Sequence, residues 1–377
     1  MTEELEYVPG RFIMNRIVRP RFACSRCEAF TQAALPSRPI ERGGPPGPGL
    51  LAHVLFHKYA NHPPLHRQSG IFERNGVDID RSTLADQIGK STALLEPLAD
   101  AIGCLVLARQ AIFADNIPVK MLAPGDAGQR HARLWAYGRD ERPWGSSIPP
   151  ASWYQFPPDR KGQHPKDHLA KYQGWVHADG YAKFKALYRS GDIHEVACMA
   201  HVRRKFVDRH RAQGSAMADE AIRRVAQLYT VEKEARQSPP DWRIEITKAQ
   251  AKPIFDDLEA WQHAQLLSIS GKSPLAGAIR YALTRLARLS PCLNHDISEL
   301  DNNTAKRAMR SVAIRRKNYL FVGSQTGGRA AAIAYTLIET AKMNDVDPQA
   351  WRANTRAPIP DYKTNRVDDL RPNKNAS

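Results

Sequence analysis

The sequence predicts an α/β fold, a mixed sheet with crossover helices and a helical insertion before the last core helix. Three observations point there. Strand-like pieces rich in β-branched and aromatic residues cluster between 105 and 200. Residues 201–292 instead carry helical apolar stripes. Two of the strand-like pieces close on an aspartate, Asp115 and Asp179.

Taken in order, residues 6–30 read as short extended pieces around Cys24-Ser-Arg-Cys27. The stretch from Pro36 to Gly49 is rich in proline and glycine, which break both regular structures, so it reads as a linker. Residues 50–104 read as helical. Arg67–Asn75 and Ser82–Lys90 are two helices around the turn Gly76-Val-Asp-Ile-Asp80. Ser82 is the N-cap, and Leu84, Ala85 and Ile88 form the apolar stripe. Such a pair suits a helix-turn-helix, and equally any helical pair in a bundle.

Five strands follow, at 111–115, 133–137, 151–156, 175–179 and 195–199. A helix at 164–172 separates the third from the fourth, and another at Tyr181–Tyr188 the fourth from the fifth. The order β-β-β-α-β-α-β, a meander followed by parallel crossovers, is that of the ribonuclease-H-like fold. In residues 201–292, Ile222, Val225, Leu228 and Tyr229 form one stripe, and Leu275, Ile279, Leu283 and Leu286 another. A core helix at 301–317, a helix at Arg329–Met343 and a polar tail from 346 to 377 complete the chain. The expected units are thus 1–35, a linker 36–49, the helical region 50–104, a core of 105–200 with 293–345, the insertion 201–292, and the tail.

Composition bounds the partners. Lys and Arg number 55 against 39 Asp and Glu, a formal net charge of +16 over 377 residues, which favours an anionic partner, nucleic acid above all. Five scattered cysteines make no disulfide framework, so a reducing cytoplasm is the simplest setting. The acidic N-terminus lacks signal-peptide character, and no run of about 18 apolar residues spans a membrane.

In the expected topology Asp115 ends the first strand and Asp179 the fourth, which are neighbours in such a sheet. Two carboxylates at one edge suit Mg²⁺ or Mn²⁺, hard ions that want oxygen and, about 4 Å apart, can activate an attacking oxygen and stabilise a leaving one. Aspartate at a strand end also serves as a cap or turn former, and Asp179 precedes Gly180. Arg203-Arg204-Lys205 and Arg315-Arg316-Lys317, the latter followed by Tyr319 and Phe321, are the densest basic runs and suit phosphate contact and base stacking.

Many stretches in one order resemble the insertion sequence 66 transposase family, within the aspartate-aspartate-glutamate (DDE) transposases. They include Ser37-Arg-Pro-Ile-Glu-Arg42, Asp80-Arg-Ser-Thr-Leu-Ala-Asp86, Pro158-Asp-Arg-Lys-Gly162, His177-Ala-Asp-Gly-Tyr181 and Ala200-His-Val-Arg-Arg-Lys-Phe206. Asp301-Asn-Asn303, Arg316-Lys-Asn-Tyr-Leu-Phe321 and Leu337-Ile-Glu-Thr-Ala-Lys342 continue the series. The resemblance implies metal-dependent DNA cleavage and strand transfer at transposon ends, with Asp115 and Asp179 as the first two catalytic acids. It also implies DNA contacts from Arg81, Ser82, Thr83, Arg307 and Arg310 beside the basic runs, a homo-oligomer on DNA, accessory element-encoded proteins, and a nucleoid-associated cytoplasmic protein. The third acid of the family falls at 306, where this chain has Lys306 ahead of Arg307. A protonated lysine has no acceptor and repels a dication. Asn116 and Ile117 stand where the family has an acid and a threonine, and Arg329-Ala330 where it has Glu-Arg. Glu299 and Glu339 are the nearest substitutes, but Glu299 lies seven residues before Lys306, which, were the span helical, would set it about 10 Å away along the axis. Cys24 and Cys27 supply half of a four-ligand Zn²⁺ site. In the resemblance the other cysteine pair and a coiled-coil-like region precede it, so the start reads as shortened.

Overall fold

In the computed structural model, residues 5, 10–34, 40, 46–122, 129–180, 184, 186–189, 191–295, 299–318, 320–351 and 369–372 are described. Near the N-terminus, β1 (Arg21–Ala23) and β2 (Phe30–Gln32) form an exposed antiparallel hairpin. Three helices follow: α1 (Pro48–Phe56), α2 (Leu65–Arg74) and α3 (Arg81–Leu107). Proline in the first turn of α1 suits a helix start, where its missing N–H has no partner to lose.

The helix expected at 82–90 runs on to Leu107. Its apolar residues recur at helical spacing through Leu84, Ile88, Leu95, Leu98, Ile102 and Val106, all buried. With that much face to cover, α3 packs against the sheet and shares its core. Val54, Leu55, Tyr59, Phe72, Leu84 and Ile88 belong to one cluster with Val119, Leu134, Ala136 and Tyr154 of the strands.

The strands are β3 (Ala111–Leu122), β4 (Gln129–Arg139), β5 (Ala151–Gln155), β6 (Gly174–His177) and β7 (Ile193–Val196), with the short helix α4 (Gln163–His168) between β5 and β6. Their order is β5-β4-β3-β6-β7. The first three are antiparallel, and β6 and β7 run parallel to β3. Residues 181–183, 185 and 190, within or beside the helix expected at Tyr181–Tyr188, lie outside the described residues; 186–189 form a turn.

Five helices occupy the expected insertion: α5 (Met199–Gln213), α6 (Ala216–Ala235), α7 (Pro240–Ile246), α8 (Lys252–Ser268) and α9 (Pro274–Leu289). Ser215 and Ser273 cap α6 and α9, each side chain accepting a backbone N–H three residues on. Their apolar stripes close on a core of their own around Phe206, Val225, Leu228, Leu258, Ile279 and Leu286. The chain then returns as α10 (Asn303–Arg315), β8 (Phe321–Val322) and α11 (Gln325–Met343).

The sequence gives no sign of β8, which is only two residues long. It pairs parallel with Lys120 and Met121 at the far end of β3, while β6 pairs with residues 111–113 at the near end. Between these two pairings, side chains serve β3 carbonyls. Asn302 Nδ2 donates to the Ala114 carbonyl at 2.8 Å, and the Arg316 guanidinium donates to that of Pro118. The start and end of α10 are thereby fastened across the middle of β3, where Asp115 sits.

Candidate active site

The β3–β6 register sets Phe113 beside His177, where β6 ends, and the charge of Asp179, two residues further on, reaches Asp115 in β3. His177 fixes this approach. It is fully buried, its Nδ1 donates to the Ile112 carbonyl at 3.4 Å, and its Nε2 accepts the Glu299 N–H at 3.0 Å. Burial pushes the imidazole down to about 3, so it stays neutral, with its proton on Nδ1. His177 therefore ties β6 to β3 and to the segment leading into α10.

Asp115 is a strongly perturbed acid within the central strand β3. Burial pushes its carboxyl up to about 6; the Asn116 N–H, donating to Oδ1 at 2.7 Å, opposes this. The charge of Asp179 raises it further, and those of Lys306 and Arg133 pull it back. Asp115, Asn303, Lys306, Arg307, Met309 and Arg310 line one open cleft of about 440 Å³. Lys306 Nζ lies 3.5 Å from Cys198 Sγ at the head of α5. His201, one turn into α5, feels both Lys306 and Asp179 and is held below its usual value, mainly by burial. Lys306 lines the cleft with Asp115, and the charge of Asp179 reaches both Asp115 and His201.

The substitute acids are engaged elsewhere. Glu299 Oε2 lies 3.4 Å from Arg236 Nη2, and its carboxyl rises to about 8 through burial and the charge of Glu232. Glu339 accepts from Ser311 Oγ at 2.8 Å and faces Lys342 at 3.3 Å. Among the described residues no group of three His, Cys, Asp or Glu side chains is arranged to hold a metal ion.

Of the basic residues, Arg203, Arg204 and Lys205 are exposed on α5, and Lys205 Nζ lies 5.4 Å from the Tyr281 ring centroid. Arg307 and Arg310 are exposed at the acid cleft, and Arg316 and Lys317 are exposed past α10. Arg315 departs from the expected surface run. It is 3% exposed, because it continues the buried face of α10 through Ala308 and Val312. That periodicity was readable in the sequence. Arg81, Ser82 and Thr83 are exposed at the start of α3, and Tyr319 lies outside the described residues.

Cys24 and Cys27 are exposed in the turn of the β1–β2 hairpin. Hydrogen bonds from the Arg26 and Cys27 N–H groups hold the Cys24 thiol below its usual value. Two sulfurs make half of a closed zinc site.

These parts define an α/β protein whose mixed sheet gathers an acid pair beneath a basic helix. Residues 43–330 match the description "Transposase IS66 family", 336–372 match "IS66 C-terminal element", and 1–28 match "zinc-finger binding domain of transposase IS66". The chain belongs to the IS66 transposase family. Similar proteins from Sinorhizobium fredii carry uncharacterized names. The protein y4hP is 37% identical over 99% of this chain and 70% of its own length. Likewise y4qI is 38% identical over 94% and 67%, and y4jD 34% over 98% and 74%. No described helix is long and apolar enough to cross a membrane.

Proposed function

We propose that this chain is a DNA-binding transposase relative that recognises the ends of an insertion sequence and is impaired in cutting them. The observation that carries this reading is the acid cleft, where Lys306 supplies an ammonium beside Asp115, whose carboxyl also feels the charge of Asp179. The sheet order supports a ribonuclease-H-like core of the DDE type, with three antiparallel strands followed by two parallel ones. In that reading α5–α9 are the insertion and α10 is the core helix that bears the position of the family's third acid, here Lys306.

The metal ions implied by the family do not fit these residues well. Mg²⁺ and Mn²⁺ want hard oxygen donors, and the cleft offers the Asp115 carboxylate, with the charge of Asp179 nearby, together with a lysine that competes with a cation for it. We therefore assign the cleft no metal-dependent step. What its residues can do is receive a phosphate backbone. Lys306, Arg307 and Arg310 present three positive groups along one face of α10. The exposed Arg203, Arg204 and Lys205 extend that basic surface. The second reading, a regulator whose residues 50–104 bind DNA alone, is disfavoured because α1–α3 bury their apolar face in the sheet's own core.

The test uses the full chain with duplexes carrying the ends of its element. Expected are salt-dependent binding, no nicking in Mg²⁺ or Mn²⁺, and nicking gained by Lys306→Glu. Nicking by the unaltered chain that Asp179→Ala abolishes overturns the impairment. Failure to bind any duplex overturns the whole reading.

A further inference from the structure

The helical insertion sets one arginine against the acid cleft, and that arginine belongs to no basic run. Arg285 lies on α9, which packs against α5, and it is half-buried between Leu283 and Leu286 of the apolar stripe. Its guanidinium rests on the backbone of Gly180, the residue after Asp179. A Cβ at Gly180 would meet Arg285 Nη2 at 2.6 Å and Nε at 2.8 Å. Gly180 also has a φ of +76°, so a side chain there is opposed twice, by the backbone and by the guanidinium.

Tyr281, one turn earlier on α9, carries this group. Arg285 Cζ lies 4.8 Å from the centroid of the Tyr281 ring, and Lys205 Nζ of α5 lies 5.4 Å from it. One aromatic ring thus gathers cations from two helices. Among the described residues Arg285 makes no ion pair and no hydrogen bond, and its Nε is buried without an acceptor. A buried donor without a partner is unfavourable, and a methionine would fill the same wall without leaving one. The guanidinium therefore stops short of the carboxylate next to it and keeps its donors for a third group. His201 feels the charges of Lys306, Asp179, Arg204 and Arg285 together, so Arg285 shares the neighbourhood of the acid cleft. Arg204 and Lys205 are exposed on α5.

We propose that Arg285, held on Tyr281 together with Lys205, is a DNA-binding residue that grips one backbone phosphate of the strand lying at the acid cleft. The inference rests on the DNA-binding function proposed above and adds to it a contact made by the insertion. A guanidinium offers a phosphate two parallel N–H donors, the Tyr281 ring fixes its plane, and the Lys205 ammonium adds a point charge. Lys306, Arg307 and Arg310 stand on α10, which is packed into the sheet's core, whereas Arg285 and Lys205 stand on the insertion's own core. A strand held by both sets would bridge the two.

The experiment compares the full chain with Arg285→Gln, Arg285→Lys, Lys306→Ala and Lys248→Gln, the last removing an exposed charge elsewhere in the insertion. Thermal unfolding first establishes that each variant is folded. Fluorescence anisotropy then measures affinity for element-end duplexes in which single phosphates are replaced, one at a time, by neutral methylphosphonates. Expected for Arg285→Gln is a several-fold loss of affinity at about 0.1 M salt and a fall of about one in the log–log salt slope. The parent should weaken at one or two replaced phosphates to which Arg285→Gln is indifferent, and Lys306→Ala should lose its response at the same phosphates or adjacent ones. Lys248→Gln should keep the parent's pattern. Arg285→Lys, a point charge without the two-donor fork, should keep the slope and blunt the response at that same phosphate, and it carries the test if the glutamine variant does not fold. Parental patterns in both Arg285 variants, or an Arg285 phosphate remote from that of Lys306, overturn the inference and leave the proposed function standing. A parent chain that binds no duplex overturns both.

Discussion

At the N-terminal end of α10, Lys306, Arg307 and Arg310 face the carboxylate of Asp115, and charges of opposite sign share a wide, open cleft. At its C-terminal end, Arg315 meets Lys58, and charges of like sign share a smaller, half-open one. One helix thus borders a place where cations temper a buried acid and a place where a buried arginine lowers a neighbouring lysine. The difference shows that the basic character of α10 does separate work at its two ends. It also turns the two clefts into opposite pH signatures.

The largest expected effect is on the frame that holds the first cleft. His177→Ala removes a fully buried ring and two hydrogen bonds, to Ile112 and Glu299. It should cost about 3–4 kcal/mol by denaturant unfolding and loosen the approach of Asp115 to Asp179. A loss under 1 kcal/mol would remove His177 from the account. Next comes the wall near the second cleft. A Cβ on Gly328 would lie 2.1 Å from the Phe156 ring, so Gly328→Ala should cost about 1–3 kcal/mol.

Charge variants then separate the clefts by sign. The Asp115 carboxyl sits at about 6 against an ordinary 3.8, so the folded state holds its proton more tightly than the unfolded one. Stability is therefore lost as pH rises from about 4 to 6, and Asp115→Asn should gain about 2–3 kcal/mol above pH 6. Lys58 behaves inversely. Its folded value of about 8 lies below the ordinary 10.5, so stability is recovered as pH rises between those values. Lys58→Met should gain about 1–2 kcal/mol at pH 7, a gain that fades toward pH 10.5. Unfolding curves at stepped pH distinguish the two, and a shared direction would break the comparison. The smallest effect belongs to the open surface: Arg203→Ala should change stability by less than about 0.5 kcal/mol, and any role in DNA contact would show in the salt dependence of binding.

The strand order was partly legible in the sequence, because β-branched and aromatic pieces marked the strands that place Asp115 on β3 beside β6. Asp115 was expected to close its strand, yet β3 runs on through it to Leu122, a continuation the apolar pattern did not show. The second cleft was not legible. It depends on where a π-helical turn sets Lys58, on a two-residue strand with no pattern to read, and on a 27-residue helix that passes beyond its expected end. Arg315 lies between these cases, since it reads as part of a basic run while its spacing from Ala308 and Val312 assigns it to the buried face. The role of His177 was hidden as well, because its two partners come from strand and loop segments far apart in the chain.

The central claim is that the residue at 306 decides whether the acid pair accepts a metal. Calorimetric titration of Mn²⁺ into the unaltered chain, Lys306→Glu and Lys306→Glu with Asp179→Asn tests it most directly. The account predicts no binding at the acid pair in the unaltered chain, binding gained with Lys306→Glu, and that gain lost when Asp179→Asn is added. Mn²⁺ binding by the unaltered chain that Asp179→Asn alone abolishes would contradict it.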